Sequence, residues 1–253
     1  MLKSSSIIIA TIWILVMGSF LPLGGCASGV PTYPTMSDRE SLEVLAQRAD
    51  AIRTVRATID LAITNGQGQS IELEGAIAAV LPDRLRLQAW KMGVTVLDVT
   101  YTSGEVWTVT DADQGSEQEI ETLRGTSASD FEQMLAPTRA EFWRKATPVQ
   151  SAESENELVV DSGWPVAGGM RCFIDRRSLT AQRLILADRS LQAQVDRSLI
   201  LEQYQSFDGV IWPTRMIFNS PDGIVRVNLK EVEINQPIDD AAFQPPRRAK
   251  KHL

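Results

Sequence analysis

Apolar residues recur along this chain with two different periods, and the changes of period mark its elements. Leu42, Leu45, Ala49, Ile52 and Val55 fall three or four apart, which puts them on one face of a helix. Ser37-Asp38 precedes the stripe and Glu40 and Glu43 follow, an N-cap with acidic side chains in the first turns. The period then becomes two. Ala57, Ile59, Leu61 and Ile63 alternate with Arg56, Thr58, Asp60 and Thr64, as in a strand with one buried face. Asn65-Gly66-Gln67-Gly68 supplies a hairpin turn. Ile71, Leu73, Ile77, Ala79 and Leu81 continue the alternation, and Pro82-Asp83 turns the chain into Leu85, Leu87 and Ala89. Met92-Gly93 and Ser103-Gly104 bound two further strands, over 94–101 and 105–110. The pattern predicts about five consecutive antiparallel strands, a meander.

Residues 111–126 are polar and read as a loop or hairpin tip. Ser127-Ala128-Ser129-Asp130 can cap a second helical stretch carrying Phe131, Met134 and Leu135. Pro137 interrupts it, and 139–145 resumes it with Phe142 and Trp143. The period of two returns over 157–161, 169–175, 182–187, 192–204, 210–219 and 224–235, with turns at Asp208-Gly209 and Pro221-Asp222-Gly223. The expected fold class is therefore mainly β (α+β), a strongly curved antiparallel sheet with helical segments over its mouth. A sheet of this many strands curls or splits rather than expose a flat apolar face. Its interior is either a packed core or a ligand cavity; both fit the pattern.

The first thirty residues follow another logic. Lys3 precedes an almost wholly apolar run over 7–21, then Pro22-Leu23-Gly24-Gly25 and Cys26. The run is short for a membrane span, which needs about 20 residues, and suits a signal-peptide core. Leu23, Gly24 and Gly25 before Cys26 resemble a bacterial lipobox, the thiolate of Cys26 being the group that can attack a diacylglyceryl donor. The other reading is an uncleaved anchor with an incidental thiol. The lipoprotein resemblance implies three acyl chains on Cys26, each methylene adding about 0.8 kcal/mol of membrane anchoring. It also implies, through Ala27 in place of an aspartate, delivery to the outer membrane, with the domain facing the periplasm. The expected organisation is a signal peptide over 1–25, a lipidated Cys26 and flexible tether over 26–36, one domain with helical lid segments over 37–247, and a basic tail over 248–253.

The net charge of −7 becomes −8 when Lys3 leaves with the signal, Lys3 being the one charged residue in it. A pI near 4.9 disfavours nucleic acid as a partner. With Cys26 acylated, Cys172 has no intramolecular partner and reads as a small buried hydrophobe on a strand. His252 is the only histidine and stands next to the last residue. That leaves no basis for a serine–histidine triad or a histidine metal site. We expect no enzyme, no metal and no cofactor.

Several short motifs carry a family resemblance. Leu81-Pro82-Asp83-Arg84-Leu85-Arg86-Leu87, Gly93 and Val94-Thr95-Val96-Leu97-Asp98 resemble early strands of the LolA/LolB superfamily, the periplasmic carrier and outer-membrane receptor of lipoproteins. Tyr204, Phe207-Asp208-Gly209-Val210-Ile211-Trp212-Pro213-Thr214, Pro221-Asp222-Gly223, Val225-Arg226-Val227-Asn228-Leu229, Val232-Glu233-Ile234-Asn235 and Phe243-Gln244-Pro245-Pro246 resemble its C-terminal strands. The resemblance implies an incomplete barrel of about eleven strands closed by helices, with a hydrophobic cavity for acyl chains. Ile59, Leu61, Leu73, Ile77, Leu85, Leu87, Val94 and Val96 would then contact the chains from the sheet. Phe131, Met134, Phe142 and Trp143 would do so from the lid. The alternative is that the same residues fill a core. Two departures matter. Leu81 stands where the carrier has a basic latch residue, and Met92 is the only apolar candidate for the receptor's protruding transfer loop. The implied role is lipid or lipoprotein transfer by a monomer on the membrane, with lipoprotein acyl chains or lipids as cargo and a periplasmic carrier as partner. The competing role is an envelope scaffold or stress-sensing lipoprotein that contacts proteins without carrying lipid.

Overall fold

The computed structural model describes residues 29–102, 104–110, 128–149, 155–163, 169–186, 197–246 and 249–252. Cys26, the signal segment and the polar stretch 111–126 lie outside the described residues.

Helix α1 (Asp38–Asp50) starts where the sequence puts its cap. The Ser37 hydroxyl oxygen accepts from the Glu40 backbone N–H at 3.3 Å, and the Ser37 N–H donates to the Glu40 carboxylate at 2.9 Å. This reciprocal box satisfies two groups at the helix end, and its hydrogen bonds hold the Glu40 carboxyl below its usual pKa. Five strands follow: β1 (Thr54–Asn65), β2 (Ser70–Val80), β3 (Arg84–Lys91), β4 (Val94–Thr102) and β5 (Glu105–Thr110). Helix α2 (Ala128–Leu135), a 3₁₀ turn (Ala136–Thr138) carrying Pro137, and α3 (Ala140–Lys145) form the helical insert. Then come β6 (Thr147–Val149), β7 (Glu157–Ser162), β8 (Met170–Asp175), β9 (Thr180–Leu186), β10 (Arg197–Phe207), β11 (Val210–Ser220) and β12 (Gly223–Ile234). A 3₁₀ turn (Asp240–Phe243) and β13 (Lys250–His252) complete the described chain.

Among the described residues all thirteen strands belong to one sheet, ordered β13-β5-β4-β3-β2-β1-β12-β11-β10-β9-β8-β7-β6. Every junction is antiparallel. The two meanders meet where β1 pairs with β12, Leu61 opposite Val227 and Ile63 opposite Val225. The sheet does not close on itself, so β13 and β6 are its two edges. The insert joins β5, beside one edge, to β6, at the other. Its helices therefore lie on the path across the open mouth. Register shifts beside Arg56, Ala89 and Phe173 add the local twist that curls a long sheet.

The count exceeds the expected eleven by two, and both additions are short. β6 and β13 have three residues each, too few for a period of two to register. Lys250–His252, read as part of a basic tail, pairs with β5. Lys251 Nζ sits 2.6 Å from a Glu105 carboxylate oxygen and over the Trp107 ring. A lysine-bearing terminal strand is a poor template for a further strand. Tyr33 and Met36, in the span read as tether, pack against the core. The Tyr33 N–H donates to the Arg177 carbonyl at 2.7 Å.

The apolar interior falls into two clusters. One joins β1–β5 with β12 and includes Ile59, Leu61, Leu73, Leu97 and Tyr101. The other joins α1 and α3 to β7–β10 and includes Leu45, Phe142, Trp143, Leu158, Cys172 and Leu184. Met216 and Phe218 of β11 touch both. Cys172 is fully buried, as its strand position implies, and burial pushes its thiol well above the usual pKa. Among the described residues no helix is long and apolar enough to cross a membrane.

One outer-face region is also buried, which simple alternation does not foresee. The 3₁₀ turn Asp240–Phe243 covers β3 and β4, with Phe243 buried beneath the Arg84 guanidinium. There Arg86 grips Asp98 with two hydrogen bonds, at 3.0 and 2.7 Å, and donates a third to the Ala242 carbonyl at 2.9 Å. Such fork geometry requires arginine. The Asp98 carboxylate raises the Arg86 pKa further through that hydrogen bond.

Gly75 shows how tightly the central strands fit. It lies on β2 between Ile59 of β1 and Ala89 of β3. A Cβ there would overlap the Gln88 carbonyl oxygen and press on Ile59 Cγ1 at 3.0 Å. Gly75→Ala is expected to destabilise the protein by about 1–3 kcal/mol, the usual cost of overpacking. Urea unfolding with an unchanged slope checks it.

Candidate functional site

Between the two core clusters the sheet and helices leave an apolar cavity of about 250 Å³. The first half-sheet contributes Leu61, Ile77, Leu85, Leu87, Leu97 and Val99; α1 contributes Leu45, Ala49 and Ile52. The insert closes it with Met134, Leu135, Pro137, Thr138 and Trp143. The far wall comes from β9–β12, through Ala181, Leu199, Leu201, Tyr204, Trp212, Met216, Phe218, Val225 and Val227 among others.

Of the residues singled out in the sequence, Leu61, Ile77, Leu85, Leu87, Met134 and Trp143 meet at this cavity. Ile59, Leu73 and Val96 are buried in the first cluster and Phe142 in the second, away from the cavity wall. The side chain of Phe131 lies outside the described residues. Val94 does not face inward: it is 39 % exposed, just after the Met92-Gly93 turn. The register shift between Ala89 and Trp90 changes the phase of the alternation. From there Leu97, Val99 and Tyr101 oppose Ala89, Leu87 and Leu85. Met92, at the same tip, is 96 % exposed with φ of 51°.

The sequence pattern points to one half-sheet and the insert, whereas the other half of the sheet lines the cavity as well. The signal was present in Leu199 and Leu201, Met216 and Phe218, and Val225 and Val227, apolar pairs two residues apart. Cross-strand partners join them, Leu201 opposite Met216 and Met216 opposite Val227.

Most polar atoms in the wall are directed into the protein. The Arg48 guanidinium donates to the Leu179 carbonyl at 2.6 Å, the Ser178 carbonyl at 3.2 Å and the Tyr33 hydroxyl at 2.8 Å. It also stacks over the Tyr33 ring. Thr138 Oγ1 donates to the Leu135 carbonyl, and Trp143 Nε1 to the Pro137 carbonyl at 2.8 Å. Thr180 Oγ1 shares a hydrogen bond with Ser178 Oγ. The Tyr204 hydroxyl donates to the Ala181 carbonyl, and burial raises its pKa, so it stays neutral. A wall of this kind offers non-directional burial to a hydrocarbon.

Neither a protein-family model nor any curated protein matches the chain. Solved structures do match. One is a domain from Vibrio parahaemolyticus described as an outer membrane lipoprotein-sorting protein: TM-score 0.55, 12 % identity, over 82 % of this chain and 97 % of that one. A LolA superfamily protein from Nitrosomonas europaea matches with TM-score 0.53 and 11 % identity, over 80 % and 97 %. A DUF1329 family protein from Desulfovibrio piger matches with TM-score 0.56 and 12 % identity, over 83 % and 98 %. At such identities the likeness is one of fold. The chain has a LolA-like fold, an unclosed antiparallel sheet capped by helices.

Proposed function

We propose that this chain is a lipoprotein anchored through acylated Cys26, and that its cavity holds acyl chains during lipid or lipoprotein transfer or localisation at the outer membrane. The observation that carries the reading is the empty apolar volume itself. A scaffold that only contacts proteins gains nothing from it, since unfilled space in a core costs stability. Each buried methylene contributes about 0.8 kcal/mol, so ten give about 8 kcal/mol before the cost of association. No bond is made or broken; transfer then needs only successive binders of rising affinity.

The resting volume falls just below the ~300 Å³ at which sites for drug-sized ligands begin, which suits one short chain. A ligand with several chains must displace part of the cover. Helix α2 and the Pro137 turn lie on that route, tied to the sheet through Leu135 and the Arg139–Asp83 ion pair at 3.2 Å. Met92 and Val94, the exposed large hydrophobics among the described residues, form the apolar tip that would meet a membrane or an incoming chain. A periplasmic carrier is the proposed donor.

The test is mass spectrometry of lipids extracted from exported Cys26→Ser protein, which lacks its own acylation. Acyl lipids near one per protein are expected. Lipid-free protein that also refuses an acylated lipopeptide from a loaded carrier would end the proposal.

A further inference from the structure

Among the described residues that line the cavity, Arg48 alone carries a charge. Its α1 neighbours in the wall, Leu45 and Ala49, are buried, whereas Arg48 is partly exposed. It therefore stands at the margin of the apolar wall and not in its depth. Leu179, Thr180 and Tyr204 complete this corner. The guanidinium charge is felt at the buried Tyr204 hydroxyl, where it works against the pKa rise that burial causes. Arg86 meets Asp98 and Arg176 meets Asp38, but no carboxylate among the described residues answers Arg48. The Ser178 and Leu179 carbonyls and the Tyr33 hydroxyl take three of its five N–H groups. The Nε–H and one Nη2–H are left over. Trp212 Nε1 and Arg215 Nε are sealed from solvent without a partner; Arg48 Nε is not sealed, so a solvent-sized group reaches it. A partly buried cation without a counter-charge is costly.

We infer that Arg48 receives the anionic head of the bound amphiphile, a carboxylate or a phosphate, while the chain lies along the apolar wall, Leu61, Leu87 and Met216 among it. The inference rests on the acyl-binding reading and adds a headgroup to it. Hydrocarbon burial is indifferent to which end of a chain enters first, whereas one fixed cation is not. An anion at Arg48 keeps the head at the margin and sends the methylenes inward. A guanidinium edge fits carboxylate and phosphate oxygens alike, so fatty acids and phospholipids share the chemistry it recognises.

The test loads the exported Cys26→Ser chain with a neutral fluorescent probe, N-phenyl-1-naphthylamine, and displaces it with amphiphiles of equal chain length. These are dodecanoate, dodecyl phosphate, 1-dodecanol and dodecyltrimethylammonium, each below its micellar concentration. The better anion should bind about ten- to a hundredfold more tightly than the alcohol, the range of hydrogen bonds to a charged group. The cation should bind most weakly. A net charge of −7 over the chain by itself favours the opposite order, so the order in the parent protein reports a local cation. Arg48→Met should bring the anion-to-alcohol ratio to within about threefold of unity. If that variant folds poorly, the order in the parent decides. Either anion in the lead supports the assignment; carboxylate ahead of phosphate points to a free fatty acid, the reverse to a phospholipid. An alcohol that binds as tightly as both anions, or a ratio unchanged in Arg48→Met, overturns the headgroup assignment and leaves acyl binding standing. Failure of all the amphiphiles to displace the probe overturns acyl binding and the assignment with it.

Discussion

Leu201→Trp is expected to weaken the proposed acyl-chain binding by at least about tenfold and to leave the fold intact. Leu201 is only partly buried, on β10, and its side chain borders the cavity opposite Met216 of the neighbouring strand. An indole there has empty space to enter, so the usual overpacking cost is largely avoided. The same indole excludes hydrocarbon. Losing burial of two methylenes already removes about 1.6 kcal/mol, more than a factor of ten in affinity. Displacement of a fluorescent fatty acid measures the loss, and thermal unfolding checks the fold. Unchanged affinity in a stable variant would place the acyl chain elsewhere on the protein.

Phe142→Ala costs about 3–5 kcal/mol, the range for removing a fully buried aromatic. Phe142 is wholly buried in α3, edge-to-face against Trp143 at a centroid distance of 4.8 Å. Both rings sit in the cluster that unites α1 and α3 with β7–β10. Arg144, on the outside of the same helix, pairs with Asp50 at 3.0 Å. That pair is half-exposed and contributes little by comparison. Denaturant unfolding should show the full loss. A loss under about 1 kcal/mol would mean that α3 merely rests on the sheet.

These two residues also show what was readable in the sequence. Phe142 stands out because it follows Pro137 in a helical pattern, and burial of such a ring is the ordinary outcome. Leu201 does not, because its strand crosses the barrel's far wall and its partner Met216 lies fifteen residues away. Period and turn chemistry located β1–β5 and β7–β12 to within a few residues wherever the chain is described. Asn65 is a case in point: its side-chain oxygen accepts from Gln67 and Gln69 N–H at 3.0 Å each, closing the expected hairpin. Periodicity distinguishes the two faces of a strand but not the middle of a face from its end. Periodicity thus treats Ile59, Leu61 and Val94 alike, although Ile59 fills a core, Leu61 borders a cavity and Val94 stands at an exposed tip. Cover from distant segments was hidden as well. Nothing near Asp98 announces that residues 240–243 will bury it.

Localising a spin-labelled fatty acid tests the central claim most directly. With 12-doxyl-stearic acid added to ¹⁵N-tryptophan-labelled Cys26→Ser protein, the Trp143 and Trp212 indole signals should broaden first. Trp107, which follows the buried Val106 on β5 and carries Lys251 over its ring, should keep most of its intensity. Equal broadening of all three, or of none, would contradict a chain held inside the sheet.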